Sequence, residues 1–274
     1  MPTFKITLAY DGTGLVGWQR QASGTSIQHL LESALRHLDR RDVIVTGAGR
    51  TDAGVHAQGQ VASFSLDRAI TCDGLVHALN AQLPGGVRVL AAELVSETFH
   101  ARFDARIKTY RYRIWNADVI SPFERLYAWH LRGALDRDKV AAAARLVEGH
   151  HDFAAFRAAG GPTRSTERVV FSSRVIAGLK PCATVDDAAE MGSGAGGQAC
   201  DPALIVYEIS GSGFLRHMVR TIVGSLVEIG RGRRSVEWMR EVLATRDRTQ
   251  AGPTAPPEGL VLVAVEYDEI KSRV

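Results

Sequence analysis

Arg50 and Asp52 stand two residues apart in the run GAGRTDAGVHA (47–57), surrounded by glycines and alanines. A carboxylate kept ionised by a nearby cation can serve as nucleophile or as base. Gly49 and Gly54 carry no side chain, so a substrate backbone could approach this aspartate closely. The same composition suits a plain turn, with Asp52 capping a helix or closing an Asx turn. The loop alone does not separate the two readings; partners elsewhere in the chain must.

Two partners have the right chemistry. In GFLRHMVRTIVGSL (213–226), Phe214, Met218, Val219, Ile222, Val223 and Leu226 form an apolar stripe, and Arg216, Arg220 and Gly224 share a line at i, i+4 spacing. An arginine beside that stripe, near a glycine that permits tight approach, is placed for partial burial. A buried guanidinium requires a carboxylate or phosphate, whereas one that snorkels to solvent requires neither. In TYRYRIW (109–115), strand alternation puts Tyr110, Tyr112 and Ile114 on one face and Arg111, Arg113 and Trp115 on the other. Such a tyrosine serves as core, or as a ring that stacks on a base and a hydroxyl that moves a proton.

Other chemistries find no support. His56, His100, His150, His151 and His217 lack metal-ligand spacing, and DGTGLVGW is neither a Walker A loop nor a dinucleotide fingerprint. No serine-centred nucleophile elbow occurs. The three cysteines, Cys72, Cys182 and Cys200, are odd in number and far apart, which argues against disulfides and structural zinc and favours a reduced, cytoplasmic setting. The start MPTFKITLAYDG has no signal-peptide pattern, and no apolar run approaches the roughly 18 residues that span a bilayer.

The chain has 274 residues, 45% hydrophobic and 23% charged, an ordinary globular composition. A net charge of +3 does not announce a nucleic-acid partner, but its distribution is uneven. Arg102, Arg106, Lys108, Arg111 and Arg113 fall between His100 and Asp118 with only Asp104 and Asp118 to oppose them, and Arg231, Arg233 and Arg234 form a second cluster. Basic patches interleaved with aromatics fit a polyanion, and they also fit solvated charged faces.

The elements that must position these residues repeat. Patterning predicts a strand at 3–10, a helix after the Ser26 cap, strands near 42–47 and 58–66, a helix near 73–82 and a strand at 86–94. A strand at 109–115, a helix at 136–149 capped by Asp136, strands at 167–177 and 203–210, a helix at 214–230 and a strand at 260–267 repeat the order, with a short extra helix near 235–245. The expected fold is α+β: two tandem ferredoxin-like, RRM-like β-α-β-β-α-β halves, 1–105 and 106–274, forming one broad, mainly antiparallel sheet. Helices would cover one face and leave the other free to bind something. The Gly-, Ala- and Asp-rich stretch 178–202 breaks the pattern and reads as a flexible hairpin insertion.

Together LAYDGTGLVGWQRQ (8–21), TSIQHLLESAL (25–35), GAGRTDAGVHA (47–57), FHARFDARIKTYRYRI (99–114), HDFAAFR (151–157), GFLRHMVRTIVGSLVEIG (213–230) and EGLVLVAVEY (258–267) resemble the tRNA pseudouridine synthases of the TruA type. The motifs occur in family order along nearly the whole chain. The resemblance implies isomerisation of uridine to pseudouridine at positions 38, 39 and 40 of the tRNA anticodon arm, by a homodimer that works without metal or organic cofactor. It places the catalytic aspartate on Asp52, the active-site tyrosine on Tyr110, the aspartate-pairing arginine on Arg220 and a base-holding arginine on Arg50. Arg102, Arg106, Lys108, Arg111, Arg231, Arg233 and Arg234 would then grip phosphates. Two alternatives stand beside this reading: a tRNA-binding or folding helper without chemistry, and a synthase of the same family acting at other RNA sites. The helper does not account for Asp52, which would repel a phosphate backbone.

Overall fold

A computed structural model describes residues 1–158, 165–177 and 203–268. The insertion read at 178–202 lies outside the described residues. The chain is α+β, with mixed, mostly antiparallel strand pairing and, among the described residues, five α-helices. It divides into two compact units: the described residues of Met1–Tyr110, Gly211–Gly213 and Leu260–Val274, and those of Arg111–Ser210 and Phe214–Gly259.

In the first unit, β1 (Thr3–Tyr10) pairs antiparallel with both β3 (His56–Ser65) and β4 (Val87–Val95), and the two-residue β2 (Thr46–Gly47) pairs antiparallel with β3. That order, 4-1-3-2, is the split β-α-β-β-α-β plan read from the sequence. Helix α1 (Ile27–Asp39) starts where expected, because Ser26 Oγ accepts the His29 amide at 3.2 Å. Ile27, Leu31 and Leu35 on α1 are fully buried, each contributing about 1.5–3 kcal/mol of transfer free energy. Helix α2 (Cys72–Gln82), capped by Thr71, packs on β4 and against α1. The chain's last strand, β10 (Leu260–Tyr267), runs parallel to β3, with Val261 opposite His56 and Leu262 opposite Ala57.

In the second unit the order is β5-β9-β8-β7, from β5 (Ala105–Asn116), which begins in the first unit, through β9 (Leu204–Gly211) and β8 (Glu167–Ala177) to β7 (Gly149–Asp152). β6 (Trp129–Leu131) pairs parallel with β5. Helix α3 (Arg137–Arg145) packs on β8 and α4 (Met218–Gly230), and Asp136 caps it as expected by accepting the Lys139 amide at 3.0 Å. Among the boundaries that depart from the sequence reading, two belong to helices of this unit. The chain leaves α3 at Arg145 and continues into β7, where helix was expected to 149. α4 opens at Met218 rather than 214, because His217 adopts a left-handed conformation with φ 63°. Arg216 therefore precedes the helix and does not share a helical line with Arg220. A short α5 (Trp238–Thr245) follows. Among the described residues no helix is long and apolar enough to cross a membrane.

Gly224 does permit the tight approach inferred for it. A Cβ there would land on the Pro253 carbonyl oxygen, and one at Gly252 would come within 2.7 Å of Ser225 Cα. Ser225 Oγ receives the Gly252 amide at 2.9 Å, so backbone lies directly on backbone. Gly224→Ala must push the 252–255 segment off α4 and is expected to cost about 1–3 kcal/mol. A urea denaturation midpoint equal to that of the unaltered protein would show that the contact carries no such constraint.

Candidate active site

The loop that carries Asp52 is held from beneath by side chains of β1 and β3, all within the first unit. Gln60 is fully buried on β3. Its Nε2 donates to the Gly49 carbonyl at 3.0 Å and to the Tyr10 hydroxyl at 3.3 Å, while its Oε1 accepts the Val61 amide at 3.2 Å. The Tyr10 hydroxyl, which receives the Gln60 proton, also shares a hydrogen bond with Thr51 Oγ1, 2.8 Å away. Ala48 N donates to the Val61 carbonyl at 2.7 Å. Residues 48, 49 and 51 are thus each tied to the strand framework.

The Gly-rich segment after β1 closes over the other side. Trp18 N donates to Thr51 O at 3.0 Å, and Gly54 N to Leu15 O at 3.3 Å. Gly17, at φ 96°, leaves no room for a side chain: a Cβ there would lie 2.5 Å from Thr51 O and 2.9 Å from the Asp52 carbonyl carbon. The Trp18 indole covers Gly47, where a Cβ would sit 2.7 Å from Trp18 Nε1. Val55 N returns to Asp52 O at 3.2 Å, so 52–55 is a turn, and Gly54 supplies its φ of 77°. His56 Nδ1 accepts the Gly12 amide at 3.0 Å and pins the exit of the loop. The turn reading of this stretch is therefore realised.

Against this frame Asp52 is half-buried and Arg50 exposed. Tyr110 is buried, as strand alternation placed it, with Tyr112 and Ile114 buried alongside. Its hydroxyl faces the loop: a Cβ at Gly49 would lie 3.9 Å from Tyr110 Oη and 3.9 Å from Lys108 Nζ. Lys108 Nζ donates to Ala48 O at 2.7 Å, which puts an ammonium at the entrance of the loop. Burial, Tyr10 and the Asp52 carboxylate all push the Tyr110 hydroxyl well above the ordinary phenol value. Burial likewise pushes Tyr10 up to about 12, against the opposing hydrogen bonds from Thr51 and Gln60. The structure thus brings Asp52, Tyr110 and Lys108 together around Gly49.

Arg220 sits on α4 in the second unit, half-buried, with Nε donating to Ala255 O at 2.7 Å and its own carbonyl accepting the Ala255 amide at 3.1 Å. Tyr112 lies within its field. Burial and Glu258 raise the Tyr112 hydroxyl, and the Arg220 guanidinium draws it partly back. The bonds to Ala255 and the close contact at Gly224 fix the stem of this arginine.

The basic residues read as phosphate ligands fall into two kinds. Arg106 pairs with Asp268 at 2.7 Å, Arg111 with Glu208 at 2.8 Å and Arg233 with Glu228 at 2.9 Å. Arg102, Arg231 and Arg234 are exposed, Arg102 lying over the Phe103 ring and Arg234 over Trp238. Among the described residues no cluster of three His, Cys, Asp or Glu could hold a metal ion.

Sequence reasoning missed Tyr10, Gln60, Trp18 and Gly17. Gln60 could have been suspected, because a buried loop carbonyl needs a donor and a strand rich in Val, Ala and Phe offers few. Nothing local marks Tyr10, whose role depends on Thr51, 41 residues away.

A family model described as tRNA pseudouridine synthase matches residues 6–104 and 143–268. Relatives named tRNA pseudouridine synthase A are similar along almost the whole chain. That of Moorella thermoacetica is 44% identical, covering 97% of this chain and 100% of the relative. That of Myxococcus xanthus is 43% identical over 97% and 92%, and that of Geobacter sulfurreducens 42% over 97% and 100%.

The buried phenols give the site an alkaline limit. Tyr10 keeps its proton to about 12 in the folded protein, whereas an unfolded tyrosine loses it near 10. The raised folded value means this contribution to stability is complete below about pH 10 and is lost as pH rises towards 12. Ionisation followed at 295 nm should lag behind that of the urea-unfolded chain, and Tyr10→Phe should remove one late-titrating group. Titration of all tyrosines together near 10 in the folded protein would contradict the buried network.

Proposed function

The chain belongs to the tRNA pseudouridine synthase family, an isomerase acting on tRNA, and from that premise we propose that it converts uridine to pseudouridine at positions 38, 39 and 40 of the anticodon arm. The observation that carries the residue assignment is the half-buried Asp52 in a loop rich in glycine and alanine, close enough to Tyr110 for its carboxylate to raise that hydroxyl.

The reaction breaks N1–C1′, turns the uracil and joins C5 to C1′; the C5 proton leaves and N1 ends with one. No electrons are exchanged with another molecule and no net water is consumed. The chemistry asks for one ionised carboxylate, which is Asp52: it attacks the sugar, attacks the base, or removes a sugar proton. Arg220 is the cation assigned to keep it ionised. Tyr110 stacks on the uracil and conducts the C5 proton. Since burial, Tyr10 and Asp52 hold this phenol protonated, the transfer is a relay: the phenolic oxygen takes the C5 proton as its own passes to the freed Asp52 carboxylate. Gly49 and Gly54 leave the space that a uridine turned out of its stack requires, the unstacking costing a few kcal/mol. Arg50, exposed beside Asp52, holds the turned-out base.

Arg102, Arg106, Lys108, Arg111, Arg231, Arg233 and Arg234 are the proposed phosphate contacts. Among the described residues the exposed Arg102, Arg231 and Arg234 hold no carboxylate that they must give up to RNA, whereas Arg106, Arg111 and Arg233 must exchange one partner for another. The proposal extends to a homodimer in the cytoplasm in which one tRNA touches both subunits, and to a boundary near 105–106 between the two halves of the chain.

With tRNA tritiated at uridine C5, the protein should release label to water. Asp52→Asn should lower that release by on the order of a thousandfold or more, and Tyr110→Phe by about a hundredfold, both with tRNA affinity within a few-fold of the unaltered protein. Release by Asp52→Asn at the unaltered rate would end the assignment. Pseudouridine mapping of the product tRNA decides the positions; modification outside 38, 39 and 40 would overturn them.

A further inference from the structure

The turn 99–104, FHARFD, lies outside the Asp52 loop but is fastened to it. Ala101 is buried in one cluster with Ala48 and Val61, against which Phe99, Val265 and Tyr267 pack. Its amide donates to Ser63 Oγ at 3.2 Å and its carbonyl accepts the Tyr267 hydroxyl at 2.7 Å. Ala48, in the same cluster, is the residue whose carbonyl holds Lys108 at the loop entrance. One apolar cluster therefore fixes both the start of the Asp52 loop and this turn.

The turn is also bound to itself. The His100 carbonyl accepts the Phe103 and Asp104 amides, both at 3.1 Å. Asp104 Oδ2 accepts the His100 amide at 2.8 Å. His100 Nδ1 faces the amides of Arg102 and Phe103 at 3.2 and 3.3 Å, so the lone pair is on Nδ1 and the ring proton on Nε2. What this rigid turn displays is a phenyl ring. Phe103 is 71% exposed, its ring backed by His100 with centroids 4.2 Å apart and 31° between planes, and the Arg102 guanidinium lies 5.6 Å from its centroid.

We propose that His100, Arg102 and Phe103 form a preorganised platform on which an unpaired nucleobase of the RNA substrate stacks, with Arg102 bound to an adjoining phosphate. The inference rests on the RNA-modifying reading and adds a contact beyond Asp52, Tyr110, Arg220 and Arg50. An aromatic face paired with a guanidinium is the composition that binds single-stranded RNA, since every base offers a π-face and every linkage a negative charge. Asp104, exposed like Arg102, is turned back on the turn, where its Oδ2 accepts the His100 amide. A platform held by five internal hydrogen bonds has little conformational entropy left to lose on binding.

The test is equilibrium binding of an unmodified tRNA transcript, across a salt series, to the unaltered protein and to Phe103→Leu, Phe103→Trp and Arg102→Gln, each checked for native circular dichroism. Phe103→Leu should weaken binding about tenfold, the value of a lost stacking contact, with the salt slope unchanged, and Phe103→Trp should restore it. Arg102→Gln should reduce the slope of log K against log salt by about one. Phe103→Leu binding as tightly as the unaltered protein would overturn the platform. So would a loss that tryptophan does not restore, or a ring covered by a second copy, seen as self-association that Phe103→Leu abolishes. Tritium release by the unaltered protein is followed in parallel: its absence would fail the proposed reaction, while the binding comparison would still decide the platform.

Discussion

A glycine-lined loop leaves room for a ligand only if something other than its own side chains holds it still. Here that task falls to one buried amide, Gln60. Its donor side ties Gly49 O and Tyr10 Oη, its acceptor side takes Val61 N, and Tyr10 passes the chain of bonds to Thr51. Each bond contributes only about 1 kcal/mol net, but leaving any member of a buried network unpaired costs more than the bond gains. The loop therefore has one low-energy shape. Asp52 is presented by a backbone that need not be ordered when a ligand arrives.

The same burial sets the charge states around the site. Tyr10 and Tyr110 are shielded from water and hold their protons more tightly than free phenols do. Asp52 is only half-buried. A carboxylate at the wet edge of a cluster of neutral phenols is an acceptor beside donors, an arrangement suited to passing one proton along without separating charge in a dry interior. Lys108 stands at the entrance with its ammonium on Ala48 O.

Much of this was legible in the sequence, and the illegible parts share a cause. Ser26 and Asp136 were read as caps because their role depends on residues three positions on. Tyr110, Tyr112 and Ile114 were read as one face because strand alternation is local. Gly224 stood out because a glycine within an apolar helix invites a close neighbour. By contrast, Gln60, Tyr10 and Gly17 serve partners far along the chain, and their own surroundings say nothing of it. The start of α4 was misplaced for the opposite reason: 214–217 has helical composition, but His217 takes a left-handed turn that periodicity does not detect. The Asp52 loop was ambiguous because the small residues that make a turn also leave room for a ligand, so composition could not separate the two readings. Only the family resemblance named the reaction.

Counting basic residues along the chain does not say which of them already hold a carboxylate, and the pairing in the fold does. Glu208 is the clearest case. Burial opposes its ionisation, yet Arg111 and Arg174 outweigh that and hold it below the usual carboxylate range. Removing Arg111 to a phosphate would leave a largely buried carboxylate with one cation instead of two, so Arg111 braces the strand more readily than it grips a ligand. Arg106 and Asp268 are both mostly exposed, and a pair of that kind is worth little. Arg106 can exchange its carboxylate for a phosphate at small cost. Arg102, its guanidinium 5.6 Å from the Phe103 ring centroid, has no carboxylate to exchange among the described residues. Affinity for a polyanion should follow these local costs rather than the formal net charge of +3.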